Sequence, residues 1–414
     1  MRSKKTLKSF SPKNILVTAV ALASCSMSAQ AYAAAETVAD ALASGTAYGD
    51  LRLRYETVDQ DNALKDASAL TLRTRLGYKT AEYSGFSGLV EFEDSRVVAG
   101  VDEYNNGIGK NTGVYSVVAD PETTELDQAF LKYGAGKTSV TVGRQVITLD
   151  NHRFVGHVGW RQDRQTFDGV RVQSALTDAL SAEYAYLSKR NRIFAEDKDV
   201  DAKDHLFNVS YKTGLGKVSA YAYLLEVDQD AENGIDTYGV RFAGKKEISE
   251  GTTLLYSAEL ATQESESATT SYDAEYLALE LGAAVKGITA KLGYEQLGSD
   301  EGMYGFSTPL ATGHKFNGWT DQFLGTPNQG LVDTYVSVST KLAGFKLAAT
   351  YHDFSADEST AGVDDFGSEL DLLVAKKFNK TYSAGFKYGM YSAGDAGTNK
   401  VDTDKAWLWL GAKF

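Results

Sequence analysis

The chain of 414 residues has one cysteine, four prolines and, after its first thirty residues, no long apolar run. A helical membrane span needs about 20 predominantly apolar residues, so no such helix is expected beyond the N-terminal segment. The single cysteine, Cys25, lies in that segment, so the rest of the chain can form no disulfide or cysteine-ligated metal site. The net charge of −13 excludes a general nucleic-acid binder, which needs a basic surface.

The N-terminal segment has the composition of a secretory signal. Five basic residues precede or flank the start of an apolar core over Ile15–Ala23, and Ala29–Ala31 or Ala31–Ala33 offers an Ala-x-Ala cleavage site. We therefore expect a signal peptide over residues 1–31, with cleavage no later than residue 35, which takes the net charge to −18. Cys25 also fits a lipoprotein cleavage site, but the Ala-x-Ala motif favours ordinary cleavage.

Alternation of apolar and polar side chains dominates the rest of the chain. Leu51, Leu53 and Tyr55 interleave with Arg52 and Arg54, and similar segments recur about eighteen times. Successive side chains of a strand point to opposite faces, so each segment has one apolar and one polar face. Tight turns include 134–137, 213–216, 286–287, 343–344 and 379–380. Long connections are expected at 95–124, 146–165, 189–204, 264–271, 297–331, 353–367 and 392–404.

Short turns at one end and long loops at the other are typical of an antiparallel barrel that spans an outer membrane. We predict an all-β fold, a transmembrane antiparallel β-barrel of about 18 strands over residues 47–414, after a short periplasmic lead-in at 36–46. Proline cannot donate to a sheet ladder, and Pro121, Pro309 and Pro327 all fall in long connections. A secreted soluble β-protein would explain the alternation but not the regular exchange of long and short connections.

The last segment is expected to close the barrel. Leu408, Leu410, Ala412 and Phe414 share one face, and a terminal Phe on an alternating strand resembles the sorting signal of bacterial outer-membrane barrels. This resemblance predicts recognition by the outer-membrane barrel assembly machinery through Phe414. The other expected partners are membrane lipid, lipopolysaccharide and hydrophilic small or polymeric solutes, in the outer membrane of a Gram-negative bacterium.

If the apolar faces meet lipid, the polar faces line the lumen. Four arginines cluster on the first two strands, and another follows on a later strand: Arg52, Arg54, Arg73, Arg75 and Arg241. Rings of Arg or Lys in a pore favour anions. The alternative is that arginines and acidic residues pair across neighbouring strands and stiffen the wall.

Two long loops stand out by composition. Residues 143–171 carry five arginines, His152, His157 and Trp160, and residues 308–324 carry His314 and a further tryptophan. Loops of this length in a compact fold are usually functional or disordered, and their aromatic content favours loops that fold inwards and narrow a pore. The three histidines could bind a metal if the loops meet, but their spacing favours loop packing instead.

Both loops resemble the alginate-export family of outer-membrane porins. The matching motifs are Gly143-Arg144-Gln145 ahead of Arg153-Phe154-Val155-Gly156, Gly159-Trp160-Arg161 ahead of Thr166-Phe167-Asp168-Gly169-Val170-Arg171, and His314-Lys315-Phe316-Asn317-Gly318-Trp319 before Asp321-Gln322-Phe323-Leu324. The resemblance implies an eighteen-stranded barrel whose arginines pass an anionic polysaccharide such as alginate, or a related solute. The lumen or constriction residues that it implies are Arg144, Arg153, Arg161, Arg164 and Arg171.

These patterns predict a passive outer-membrane channel for hydrophilic, anionic solutes. No Gly-x-Ser-x-Gly elbow or comparable nucleophile constellation is present in the sequence, so no enzyme activity is expected. No cofactor is expected either. The alternative from a different class is a structural or adhesive outer-membrane barrel whose own loops block its lumen.

Overall fold

The computed structural model describes residues 35–228, 233–360 and 362–414, so the expected signal peptide at 1–31 lies outside the described residues. Eighteen strands form one antiparallel sheet that closes on itself, which confirms the predicted barrel. Two further short strands form a small hairpin inside a loop. In chain order the strands are β1 Thr46–Gln60, β2 Ala67–Lys79, β3 Phe86–Glu103, β4 Thr123–Ala135, β5 Thr138–Gln145, β6 Thr166–Ala175, β7 Leu180–Asn191, β8 Val200–Lys212, β9 Lys217–Glu226, β10 Gly234–Ser249, β11 Thr252–Glu266, β12 Ser271–Val285, β13 Ile288–Leu297, β14 Ser299–Asp300, β15 Tyr304–Gly305, β16 Leu331–Leu342, β17 Phe345–Thr360, β18 Val363–Lys377, β19 Tyr382–Ser392 and β20 Thr403–Lys413.

A short helix, α1 (Val38–Ala43), precedes the first strand. The Thr37 side chain accepts a hydrogen bond from the backbone N–H of Asp40, which satisfies one of the donors left free at the helix N-terminus. Three single-turn 3-10 helices lie in loops, at Glu196–Lys198, Gly313–Lys315 and Ala396–Thr398. Among the described residues, no helix has the length and apolar character needed to cross a membrane.

The barrel is closed by the pairing of its first and last strands. β1 pairs with β2 on one side and with β20 on the other. The ladder ends in two further bonds, because Gly49 N–H donates to the Phe414 carbonyl at 2.9 Å and Phe414 N–H donates to the Gly49 carbonyl at 3.0 Å. An unpaired backbone group in hydrocarbon costs several kcal/mol, so this closure removes the edges that a membrane would not tolerate.

Strand register separates the two faces as the alternation predicts. Leu53 lies opposite Leu72 and Leu410, whereas the next residue in β1, Arg54, lies opposite Thr71 on the inner face. Arg54 and Thr71 are buried, while Leu410 and other outward apolar side chains are exposed. The outer surface therefore presents an apolar belt, and the inner surface is polar and enclosed.

Two of the predicted long connections are wrong. Strands take up half of residues 264–271 and most of 353–367, because the β11–β12 and β17–β18 hairpins continue to pair up to Glu266–Ser271 and Thr360–Val363. The outward side chains of these extensions are polar, as at Asp353 and Glu264, and Phe354 is buried on the inner face. The outward apolar side chains that identify a membrane strand are therefore absent from their sequence. Beyond a bilayer, backbone pairing can continue without an outward apolar face.

The apolar belt predicts that the loss of stability caused by introducing a charged side chain depends on where it lies on the outer surface. Leu279 in β12 is exposed and lies between the outward Leu277 and Leu281, whereas the exposed Leu176 lies in a tight turn. We expect Leu279→Arg to destabilise the barrel by about 2–4 kcal/mol and Leu176→Arg by about 1 kcal/mol or less. Urea titration of the protein folded in liposomes measures both. Equal costs would contradict the assignment of the belt.

Candidate lumen constriction

Two loop segments, 146–165 and 308–324, fold into the barrel and meet each other; we call them together the septum. Val155 and Leu310 form a bridge between the segments. Gly156 N–H donates to the Leu310 carbonyl at 2.8 Å, and the Gln165 side-chain amide donates to the carbonyls of Gly156 and Leu310. The inward folding expected from sequence is therefore present, and the two loops fold as one unit.

One side of the septum is held by apolar packing. The ring of Phe154 lies 5.3 Å from that of Tyr221 and 5.2 Å from that of Tyr276, both on the inner wall. In the second segment, Phe323 packs against Phe354 with 4.6 Å between ring centroids. Aromatic pairs at these separations stabilise beyond their buried area, so this part of the barrel interior is a packed core rather than an aqueous surface.

The opposite side is held by charge, and Arg161 is at its centre. Its guanidinium donates to Glu56 of β1 at 3.0 Å and to Asp321 of the second segment at 2.9 Å. Lys405 of β20 reaches the same Asp321 carboxylate at 3.3 Å. All four side chains are largely enclosed. Arg161 thus joins both septum segments to the strands that close the barrel.

Arginines of β1 anchor the turn that carries Arg161. Arg52 donates to the Gly159 carbonyl at 3.1 Å and to the Gln162 side chain at 3.0 Å. Arg54 donates to the Trp160 carbonyl at 2.5 Å and forms an ion pair with Asp120. Carbonyl groups buried without a partner would be costly, so these guanidiniums make it possible for an irregular turn to lie inside the barrel.

Most of the arginines selected from sequence are paired with acids, which is the geometry of the stiffened-wall alternative. Arg52 differs, since within the described residues no carboxylate lies within ion-pair distance of it. Whether any of these arginines binds a solute stays a prediction. Besides the pairs of Arg54 and Arg161 described above, those that face the lumen are Arg73–Asp50, Arg75–Glu93, Arg153–Glu295, Arg164–Asp127, Arg171–Glu183 and Arg241–Glu259.

Arg144 does not face the lumen, which corrects the position implied by the resemblance. It follows Val142 by two residues in β5, so both side chains share the outer face, where Val142 is exposed. Arg144 forms a two-bond pair with Asp168 of β6, at 2.7 and 3.0 Å. These residues line a groove on the outer surface together with Leu126. The period-2 spacing from Val142 was the sequence signal for this orientation.

The sequence analysis did not identify Lys387 of β19, whose side chain lies between the two segments of the septum. Its ammonium is 4.0 Å from the ring centroid of Trp319 and 4.2 Å from that of Trp160, one from each segment. Trp407 of β20 completes the enclosure at 5.1 Å. Cations over indole faces are stabilised by the ring quadrupole. The available signals were two loop tryptophans and a lysine between the outward Phe386 and Tyr388, but their meeting depends on the tertiary fold.

His314 links Lys387 to the Arg161 network. Its Nδ1 lies 2.6 Å from Asp321, and its Nε2 accepts from Lys387 at 2.5 Å. Burial, with the nearby Lys387, lowers the pKa of His314 to about 3 despite Asp321. The imidazole is therefore neutral at pH 7 and donates an ordinary hydrogen bond to Asp321. The pKa of His157 is also lowered, to about 4, first by burial and then by Arg164.

Cavities lie on both sides of the septum. At the long-loop end, a cavity of about 400 Å³ is lined by Arg161, Arg190, Arg192 and Asp321 among its charged residues. At the short-turn end, one of about 690 Å³ has Lys132, Lys137, Arg171, Lys217, Asp150 and Glu183. A third, of about 570 Å³ at the same end, has Arg241, Lys245, Lys291 and Glu280. Basic residues outnumber acidic ones in each.

We expect Arg161→Gln to release the septum. The substitution leaves Glu56 and Asp321 buried without their shared guanidinium, and breaking a buried ion pair costs about 3–5 kcal/mol. Single-channel conductance in a planar bilayer should rise, or show more frequent open events. Arg96→Gln is the matched control, since Arg96 pairs with Asp94 at a half-exposed site. Equal conductance in the two variants would show that the septum does not limit the current.

Acid should loosen the septum through the imidazoles of His314, which is buried, and His157, which is partly buried. The pKa of His314 is about 3 in the folded septum, whereas an imidazole in water ordinarily has a pKa of about 6.5. The released state therefore binds the proton more readily between these two pH values. The septum therefore has its full stability above pH 6.5. As the pH is lowered below 6.5, each imidazole of this kind reduces the stability by about 1.4 kcal/mol per pH unit. Conductance measured from pH 7 to 4 should rise, less steeply in His314→Gln and least in the His157→Gln/His314→Gln double variant. An undiminished response in the double variant would contradict this cause.

The chain matches one family model and is similar in fold to several solved barrels. Residues 44–295, more than half of the chain, match the family model described as alginate export. No curated protein sequence matches the chain. Among solved structures, OccAB4 of Acinetobacter baumannii has 17% identity and a TM-score of 0.71, over 89% of this chain and 98% of that one. OccK9 (OpdG) of Pseudomonas aeruginosa has 15% identity and a TM-score of 0.70, over 90% of this chain and 99% of that one. OpdK of Pseudomonas aeruginosa, crystallised with vanillate, has 13% identity and a TM-score of 0.67, over 89% of this chain and 98% of that one. At these identities the structural likeness bears on the fold alone.

Proposed function

This chain belongs to the alginate export family, and on that premise we propose that it is a passive channel of the Gram-negative outer membrane for small, hydrophilic anions. The observation that carries the proposal is the excess of basic over acidic side chains in all three cavities inside the barrel. Charged groups that line a low-dielectric passage raise the local concentration of solutes of opposite sign. No chemical step or energy source is assigned.

The contrast between inside and outside strengthens the electrostatic argument. The whole chain has a net charge of −13, so basic cavities do not follow from composition. The outer-surface groove around Arg144 shows the opposite balance, with Arg144 and Lys189 against Glu125, Asp168, Glu196 and Asp199. Basic residues are thus concentrated where a solute would pass.

The septum favours a small solute over a polymer. A polysaccharide such as alginate would occupy the full length of the barrel, so both septum segments would have to leave and the contacts of Arg161 and Lys387 would break. A small anion needs only a local opening between the cavities. The barrel of similar fold that was crystallised with vanillate, a small organic anion, supports this reading.

The proposal also covers how the chain is exported and how it is placed in the outer membrane. Export would use the signal peptide at 1–31, cleaved no later than residue 35, and the lead-in at 36–46 would lie in the periplasm. Phe414, at the closing ladder, would be the residue that the barrel assembly machinery recognises. Lipopolysaccharide would surround the long-loop end of the apolar belt.

Single-channel recording of the refolded mature protein under a salt gradient tests the channel. Discrete events with a reversal potential that indicates anion preference are expected. Lys132→Gln/Lys315→Gln should reduce that preference, because Lys132 lines the short-turn cavity and Lys315 lies close to the cationic Arg241 and Lys291. Arg96→Gln should leave the preference unchanged.

The same recording decides between the channel and the occluded barrel. The enclosed contacts of the septum favour a structural or adhesive barrel as the second candidate. A silent protein, at neutral and at acid pH and in Arg161→Gln, would favour that candidate. Cation preference would contradict the proposed solute class, and block by alginate but not by small anions would favour the polymer.

A further inference from the structure

We propose that the cavity at the long-loop end is a binding site for one small monoanion with an apolar body. Arg192 is the residue that binds the anionic group. This inference rests on the proposed function and deepens it, because it names the chemical class of the solute. A cavity of about 400 Å³ is within the range of small-molecule sites, about 300–1,000 Å³. It suits a single ring with a short acidic substituent, and not a polymer segment.

The cavity walls are mainly apolar. Such a lining is unlike the polar lining of the cavity beyond the septum, where serine, threonine and amide side chains predominate. Removing an apolar ring from water is favourable in proportion to the area buried, so these walls would retain a solute that a purely polar vestibule would release. The apolar residues include Val158, Ile193, Phe194, Val227, Pro309 and Leu324.

Three arginines line this cavity, but two of them are already engaged. Arg161 holds Glu56 and Asp321, and Arg190 forms a two-bond pair with Asp204 at 2.8 and 2.7 Å. Arg192 is exposed, and within the described residues its guanidinium has no ion-pair or hydrogen-bond partner. A guanidinium presents donors in a planar fork that matches a carboxylate, so Arg192 can take an anion without breaking an existing pair.

The one acid in the lining does not cancel this attraction. Asp321 is neutralised by Arg161 at 2.9 Å and Lys405 at 3.3 Å, and its other oxygen accepts from His314. The same group of side chains closes the bottom of the cavity at the septum. A solute that enters from the long-loop end therefore meets a cationic group and apolar walls in a recess with a closed floor.

Isothermal titration of the refolded mature protein in detergent micelles, with benzoate as the probe, tests this site. Benzoate should bind saturably, and acetate and the neutral benzamide at least about tenfold more weakly, because each lacks one of the two recognised features. Arg192→Gln should weaken benzoate binding by about tenfold or more. Arg96→Gln, which removes one arginine charge at a half-exposed site outside the cavity, should bind benzoate as the unaltered protein does.

The outcomes separate this inference from the proposed function. Equal benzoate affinity in Arg192→Gln and Arg96→Gln would overturn the role of Arg192, and equal affinity for acetate and benzoate would overturn the role of the apolar walls. If the protein conducts anions but benzoate does not bind, the site fails and the channel stands. If benzoate binds as expected but the bilayer recording is silent, the channel fails and the site stands.

Discussion

The inability of hydrocarbon to accept or donate a hydrogen bond is the constraint from which the rest of this structure follows. Every backbone group in the belt must be paired within the sheet, and the pairing of β1 with β20 achieves this. Closure then gives each strand one lipid face and one enclosed face. Polar side chains confined to the enclosed face need partners, and the lumen of this barrel supplies them with acids, carbonyls and indole rings.

The septum shows how an irregular segment can be stable inside such an enclosure. Phe154 and Phe323 remove apolar area from water, while Arg52 and Arg54 satisfy carbonyl groups of the turn. Buried ion pairs add little net stability, since desolvation offsets the attraction, but losing one partner is costly. The pairs of Arg161 therefore act mainly to exclude other arrangements of the two segments.

Sequence alone specified the strands well, because a membrane barrel repeats one rule along the chain. It failed where that rule no longer applies: residues 353–367 are paired beyond the belt, where no outward apolar face is required. Arg144 was misplaced because motif resemblance was preferred to its spacing from Val142. Lys387 could not have been identified, since its environment combines two loops and two strands that only the closed fold brings together.

The interlock of segments 146–165 and 308–324 has a consequence for how this protein can be altered, by evolution or by design. Arg161 and Asp321 are 160 positions apart in the chain, yet each is the other's buried counter-ion. Replacing either loop with the corresponding loop of another barrel would leave a charge without its complement. Viable chimaeras are therefore expected to exchange both loops together, and the pair behaves as a single module encoded in two separate pieces.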